Sequence, residues 1–216
     1  MQAAHGREDG LSTIARRFAD YTSLRVKQRV PWWEMVLNWE VPNVYVVLGN
    51  GLTAFDVEEQ VEGWAERLRR MFLGPARPFT AYVTDRRRDS LAMRLHRPWR
   101  WFFPRLDVHD ADDAPVAYIE SKWAWLQRRY EVGDARGHVV GEIIGPWWRP
   151  WTFELHARGR VVGMIQKKWG GFAKELLTDA DNFEITFAPD ADVRWRALAL
   201  AAAVLIDVMH FERAKR

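Results

Sequence analysis

The sequence has no cysteine in its 216 residues. That absence excludes a disulfide framework, thiolate-bound zinc, thiol catalysis and palmitoylation, and it fits a reducing compartment. Serine is scarce: there are four, none in a Gly-x-Ser-x-Gly turn, so the nucleophile elbow of α/β-hydrolases is missing. The six histidines, His5, His96, His109, His138, His156 and His210, are scattered without a His-Glu-x-x-His or similar metal spacing. There is no glycine-rich phosphate loop with its lysine. Hydrolase, kinase and redox chemistry are therefore not expected. No apolar run reaches the ~20 residues of a membrane-spanning helix, and Met1 to Asp20 carries no secretory signal core. A cytoplasmic protein with no transmembrane span is expected.

A strong charge imbalance is also absent. The net charge is +3 and the pI about 9.3, and Asp and Glu are interleaved among the arginines, so nucleic-acid binding is disfavoured. The basic residues fall in short clusters: Arg67, Arg69 and Arg70; Arg86 to Arg88; Arg128 and Arg129; Lys167 and Lys168. Solvated turns account for such clusters, and anionic lipid head groups are the alternative wherever they neighbour exposed aromatics. Arginine outnumbers lysine about fourfold, a bias expected of a GC-rich bacterial genome.

Tryptophan is abundant, at 13 residues. Around it runs a repeat. Leu106–Trp123, Tyr130–Ile143 and Phe153–Trp169 each read as an alternating run, a polar turn and a second alternating run, with Val116, Val140 and Val162 in equivalent places. Period-two alternation about a turn is a β-hairpin. Ala81–Leu95 is a fourth copy, and Val44–Phe55 a fifth with Gly49-Asn50-Gly51 at its tip. Ten to twelve strands in one chain remove their unpaired edges most simply by closing into a barrel.

The filler is at the end of the chain. From Ala197 to Ile206 there are ten uncharged residues, apolar on every side, behind Asp192 as a helix cap. At ~1.5 Å per residue the run is about 15 Å long, half a bilayer core, and Asp207 would be costly there. A helix inside the barrel is expected, with its three consecutive alanines suiting a narrow lumen. Two amphipathic helices are expected besides: Leu11, Ile14, Phe18 and Tyr21 behind Ser12, and Val61, Trp64, Leu68 and Phe72 within Glu58–Phe72.

Four motifs then give a resemblance. Leu73-Gly74-Pro75-Ala76-Arg77-Pro78-Phe79-Thr80, Arg94-Leu95-His96-Arg97-Pro98, Lys168-Trp169-Gly170-Gly171 followed by Thr178-Asp179-Ala180-Asp181-Asn182-Phe183, and the terminal helix before Phe211-Glu212 occur in order. Together they resemble the phospholipid scramblase family. The resemblance implies the Tubby C-terminal-like fold, a closed barrel of about twelve antiparallel strands around a hydrophobic C-terminal helix. It implies an N-terminal segment over 1–26 and a barrel domain over 27–216, with the central helix at 193–211. It further implies calcium-stimulated movement of phospholipid between leaflets, with a non-catalytic lipid-, phosphoinositide- or protein-binding module as the alternative. The family's animal members carry a cysteine-rich patch where this chain has Trp99-Arg100-Trp101-Phe102-Phe103-Pro104, and no proline-rich stretch like that of their N-terminal tails occurs in these 216 residues. Membrane contact must therefore use aromatic and basic side chains.

Three sets of site residues follow. Trp99, Arg100, Trp101, Phe102 and Phe103, with Trp147, Trp148, Arg149 and Trp151, lie between hairpins and combine rings with cations as a bilayer interface favours. Plugging one barrel end is their structural alternative, while Trp123, Trp125 and Trp169 read as core. Arg158, Arg160, Lys167 and Lys168 share a hairpin and form a candidate anion clamp. The resemblance places a weak calcium loop over Asp179–Asp190, with Asp179, Asp181 and Asp190 as ligands. Its fit is poor, because Glu184 stands where the sharp turn wants glycine, and Phe183, Ile185 and Phe187 alternate as in a half-buried strand.

Overall fold

The computed structural model describes residues 2–29, 44–60, 78–125, 127–168 and 182–211. Helix α1 (Gln2–Phe18) leads into twelve strands: β1 (Ser23–Arg29), β2 (Val44–Gly49), β3 (Leu52–Gln60), β4 (Phe79–Asp85), β5 (Ser90–Arg97), β6 (Arg105–His109), β7 (Pro115–Lys122), β8 (Gln127–Asp134), β9 (Val139–Pro146), β10 (Thr152–Ala157), β11 (Arg160–Lys168) and β12 (Asn182–Phe187). Helix α2 (Arg194–Ile206) follows and ends in a π-helical turn, Asp207–Phe211. Each strand pairs antiparallel with its sequence neighbours, and β1 also pairs with β12, so the sheet closes. The boundary expected after residue 26 falls inside β1.

The five repeats are the five tight hairpins, and they share a device. In β2–β3, β4–β5, β6–β7, β8–β9 and β10–β11 the register shifts just before the turn. A bulge there increases local twist and coils the sheet toward closure. The β2–β3 tip has Asn50 at φ 51 and Gly51 at φ 88, the left-handed pair that a type I′ turn requires. Asn50 also locks the chain start: its Oδ1 accepts the Thr22 N–H at 2.9 Å, and its Nδ2 donates to the Asp20 carbonyl.

Alternation sends one face inward. In β4, Phe79, Ala81, Val83 and Asp85 are buried and the residues between them are not. The lumen is filled by α2, whose residues Ala197 to Ile206 are all buried. It touches β1, β11 and β12 on one side and β6 on the other, so it runs through the barrel. The N-cap position is Val193, which makes no side-chain cap bond, rather than the expected Asp192. Asp192 stands one residue before it, and its Oδ1 accepts the Arg194 backbone N–H at 2.9 Å. The Arg194 hydrogen bond also holds the Asp192 carboxyl below its ordinary pKa, against an opposing effect of burial. Helix α1 covers this end: Phe18 stacks on Phe55 at 4.2 Å, and Tyr21 meets the same ring edge-on. Of the helix expected over Glu58–Phe72, Glu58 to Gln60 belong to β3, and the remainder lies outside the described residues.

Candidate lipid-contact rim

Antiparallel order fixes which connections share an end. Odd-to-even connections leave one end of the barrel and even-to-odd turns leave the other. The tight, charged hairpins, α1 and the start of α2 therefore occupy one end. The connections β5–β6 (98–104), β7–β8 (123–126) and β9–β10 (147–151) leave the opposite end, on six consecutive strands. Seven of the thirteen tryptophans lie on these three connections.

They are exposed there rather than plugging the barrel. Trp101 is 81% exposed, Phe102 79%, Trp147 65% and Trp148 66%. Trp123 and Trp125, expected in the core, are 72% and 83% exposed and form a T-shaped pair at 5.9 Å. The reason is local: Ile119, Ser121, Trp123 and Trp125 continue the alternation of β7 past Lys122, where the ladder ends. Trp99 and Trp101 make a second T-shaped pair at 4.7 Å. Phe103 holds φ 51, a left-handed conformation uncommon for a bulky residue and characteristic of functional loops. Pro104 fixes that loop to the barrel, its carbonyl accepting the Ser121 N–H at 2.8 Å.

Cations ring these aromatics. Arg149 is exposed and makes no ion pair among the described residues. Arg100 faces Glu120 at 3.6 Å. Arg128 donates to the Pro150 carbonyl at 2.6 Å and stacks 4.4 Å over Phe153. The Lys167 ammonium lies 5.7 Å from the Trp151 ring and 5.8 Å from Phe183. The arrangement presents amphipathic rings and guanidinium groups on one outward edge, the chemistry of the head-group region.

The anion clamp expected of Arg158, Arg160, Lys167 and Lys168 does not assemble. Arg158 and Gly159 are the β10–β11 turn itself, both with positive φ, so Arg158 shares no strand face with Arg160. Arg160 pairs with Asp190 at 2.8 Å. Lys167 and Lys168 lie seven and eight residues on along β11, about 23 and 26 Å away at ~3.3 Å per residue. Lys167 faces inward, while Lys168 pairs with Glu184 at 3.1 Å. The cluster Arg86–Arg88 is likewise structural: Arg86 pairs with Asp56, Arg87 with Asp20, and Arg88 with the buried Asp85.

In the expected calcium loop, β12 occupies positions 4 to 9, Asn182–Phe187. These positions are extended strand where a calcium loop would wrap, and Asp190 accepts a hydrogen bond from Arg160. Asp179, Asp181 and Trp169 lie outside the described residues.

Comparison with known proteins follows the same lines. The chain is 32% identical over 212 residues to "Phospholipid scramblase 1" of Mus musculus, covering 90% of this chain and 62% of that protein. It is 30% identical over 204 residues to "Phospholipid scramblase 2" of Bos taurus, covering 88% and 68%. A phospholipid scramblase family protein of Schizosaccharomyces pombe is 26% identical over 228 residues, covering 88% and 59%. The chain thus spans less than two thirds of the mouse protein's length. An X-ray structure of an Arabidopsis thaliana protein superposes with a TM-score of 0.53 over 92% of this chain and 98% of that one, at 13% identity, a likeness of fold alone. The Scramblase family model matches residues 2–213. The chain belongs to the Scramblase family.

Proposed function

We propose that this protein is a scramblase-like, non-enzymatic lipid protein that docks on anionic phospholipid surfaces through its aromatic rim and accelerates phospholipid exchange between leaflets. One observation carries the reading: three tryptophan-bearing connections leave the same barrel end, exposed and accompanied by Arg100 and Arg149. Interfacial tryptophan and arginine gain from head-group depth and from phosphate, and a cytoplasmic leaflet supplies the anionic charge. The relatives' names supply the lipid substrate.

The filled lumen shapes the mechanism. Among the described residues α2 occupies the barrel axis with buried apolar side chains, so no polar path for a head group runs through it. No described helix is long and apolar enough to cross a membrane. Exchange would then proceed beside the protein, by thinning or disordering the leaflet under the rim. The same feature favours the second reading, a lipid-binding module that moves nothing.

Reconstitution separates the two. In vesicles with a fluorescent phospholipid, dithionite bleaches only the outer leaflet unless exchange occurs; fluorescence loss beyond about half, with and without calcium, reports scrambling and its calcium dependence. Co-sedimentation with bleaching stopped at half would leave the binding module. Failure to co-sediment with anionic vesicles would remove both.

A further inference from the structure

At the hairpin end, away from the rim, the barrel wall opens into a second site. A cavity of about 610 Å³ lies between the β8–β9 and β10–β11 turns, with Trp195 and Leu198 of α2 and Leu11 of α1 among its lining residues. Its size is that of a small-molecule pocket. Val139 and Val140 line it and are 53% and 41% exposed. Such exposure of β-branched apolar residues beside a preformed cavity leaves apolar area to be covered.

The polar groups at its mouth are nearly all engaged. Asp190 holds Arg160, and Asp192 holds Arg194. The Asp134 carboxylate accepts the N–H groups of Arg136 and His138 at 2.8 and 2.9 Å, which makes the β8–β9 turn rigid. Arg158 is more loosely held: it lines the cavity, is exposed, and makes no hydrogen bond or ion pair among the described residues, its charge acting only at longer range on the Asp192 carboxylate. It also stands at φ 50, the first position of a two-residue turn where Asn, Asp or Gly is the unstrained choice. The backbone is thus strained to carry a guanidinium at this mouth, and strain of this kind clusters at ligand sites.

We propose that this pocket binds a single-chain anionic amphiphile, the acyl chain lying on Val139, Val140 and Val162 and the phosphate or carboxylate head meeting Arg158. The cavity suits one chain; a second would lie in solvent. The site is independent of the rim and of the scrambling reading.

The test is calorimetry in a background lacking rim tryptophans, Trp101→Ala, Trp125→Ala and Trp147→Ala, so that amphiphile adsorbed on the rim is removed. Oleoyl lysophosphatidate and oleate, both below their micelle concentrations, separate a phosphate head from a carboxylate head. At least one should bind with one-to-one stoichiometry, and inorganic phosphate should bind at least tenfold more weakly. Arg158→Gly, which relieves the turn, should weaken binding tenfold or more while leaving Tm equal or higher. Val140→Asp should weaken it comparably. No saturable binding by either amphiphile, or binding unchanged in Arg158→Gly, overturns the proposal; so does inorganic phosphate binding as tightly as the amphiphile.

Discussion

His96, near the end of β5, has its Nδ1 3.1 Å from the Thr80 hydroxyl. Burial, with the Arg94 charge adding to it, pushes the imidazole below its ordinary pKa, and Asp107 opposes the shift. The fold therefore favours the neutral ring. Its contribution is present above the unfolded value of about 6.5 and is lost as pH falls through the lower folded value. His96→Gln should accordingly flatten the stability profile: between pH 7 and pH 5, denaturant midpoints of the wild type should fall more than those of the variant. A parallel fall in both would assign the acid sensitivity to other groups. At this scale the sequence was least readable. The exposure of Trp123 and Trp125 was hidden because their spacing continues β7's alternation, and only the end of the ladder at Lys122 decides it. The clamp set Arg158 beside Arg160, but Arg158 belongs to the turn, which begins one residue before the glycine that announces it.

Elements were far more legible, because period two and turn chemistry act locally. The hairpins form where Val116, Val140 and Val162 repeat, and the Asn50-Gly51 tip turns as its residue types dictate. What stayed hidden needs tertiary partners: the shared bulges, and the π-helical turn that begins at Asp207. There the Tyr45 hydroxyl donates to Asp207 Oδ2 at 2.7 Å, a pairing across 162 residues that no local pattern encodes. The alanines of α2 are legible for a different reason, since a helix enclosed by strands must be thin. Ala199 and Ala201 are wholly buried, and Ala202 nearly so. Ala201→Leu adds bulk with nowhere to go. Overpacking costs about 1–3 kcal/mol, which for a domain of this size lowers Tm by about 2–4 °C per kcal/mol. Thermal unfolding should show that loss, whereas Ala201→Gly should be destabilised through helix propensity and cavity. An Ala201→Leu variant as stable as wild type would mean a lumen wider than the one described.

The whole molecule is polar in its layout, and the absence of cysteine makes that layout measurable. One end carries tight hairpins, α1 and arginines paired to Asp56, Asp20 and Asp85; the other carries seven exposed or half-exposed tryptophans. If the rim is the docking surface, the barrel stands on the bilayer with its hairpin end in water. Strands of eight residues rise about 26 Å at ~3.3 Å each, less their tilt, so the two ends sample different media. Because the chain has no native thiol, a single introduced cysteine can carry an environment-sensitive fluorophore without competition. Phe102→Cys, on the β5–β6 connection, and Asp112→Cys, in the β6–β7 turn, are both exposed and lie at opposite ends. On anionic vesicles the label at 102 should brighten and shift to the blue, and the label at 112 should not change. Raising the salt to 0.5 M should weaken docking without abolishing it, because screening removes the arginine contribution and leaves the ring insertion. A response at 112 alone would place the membrane on the hairpin end. Equal responses at both would point to a barrel lying on its side, with the strands' outer faces against the lipid and the rim no longer the reason it binds.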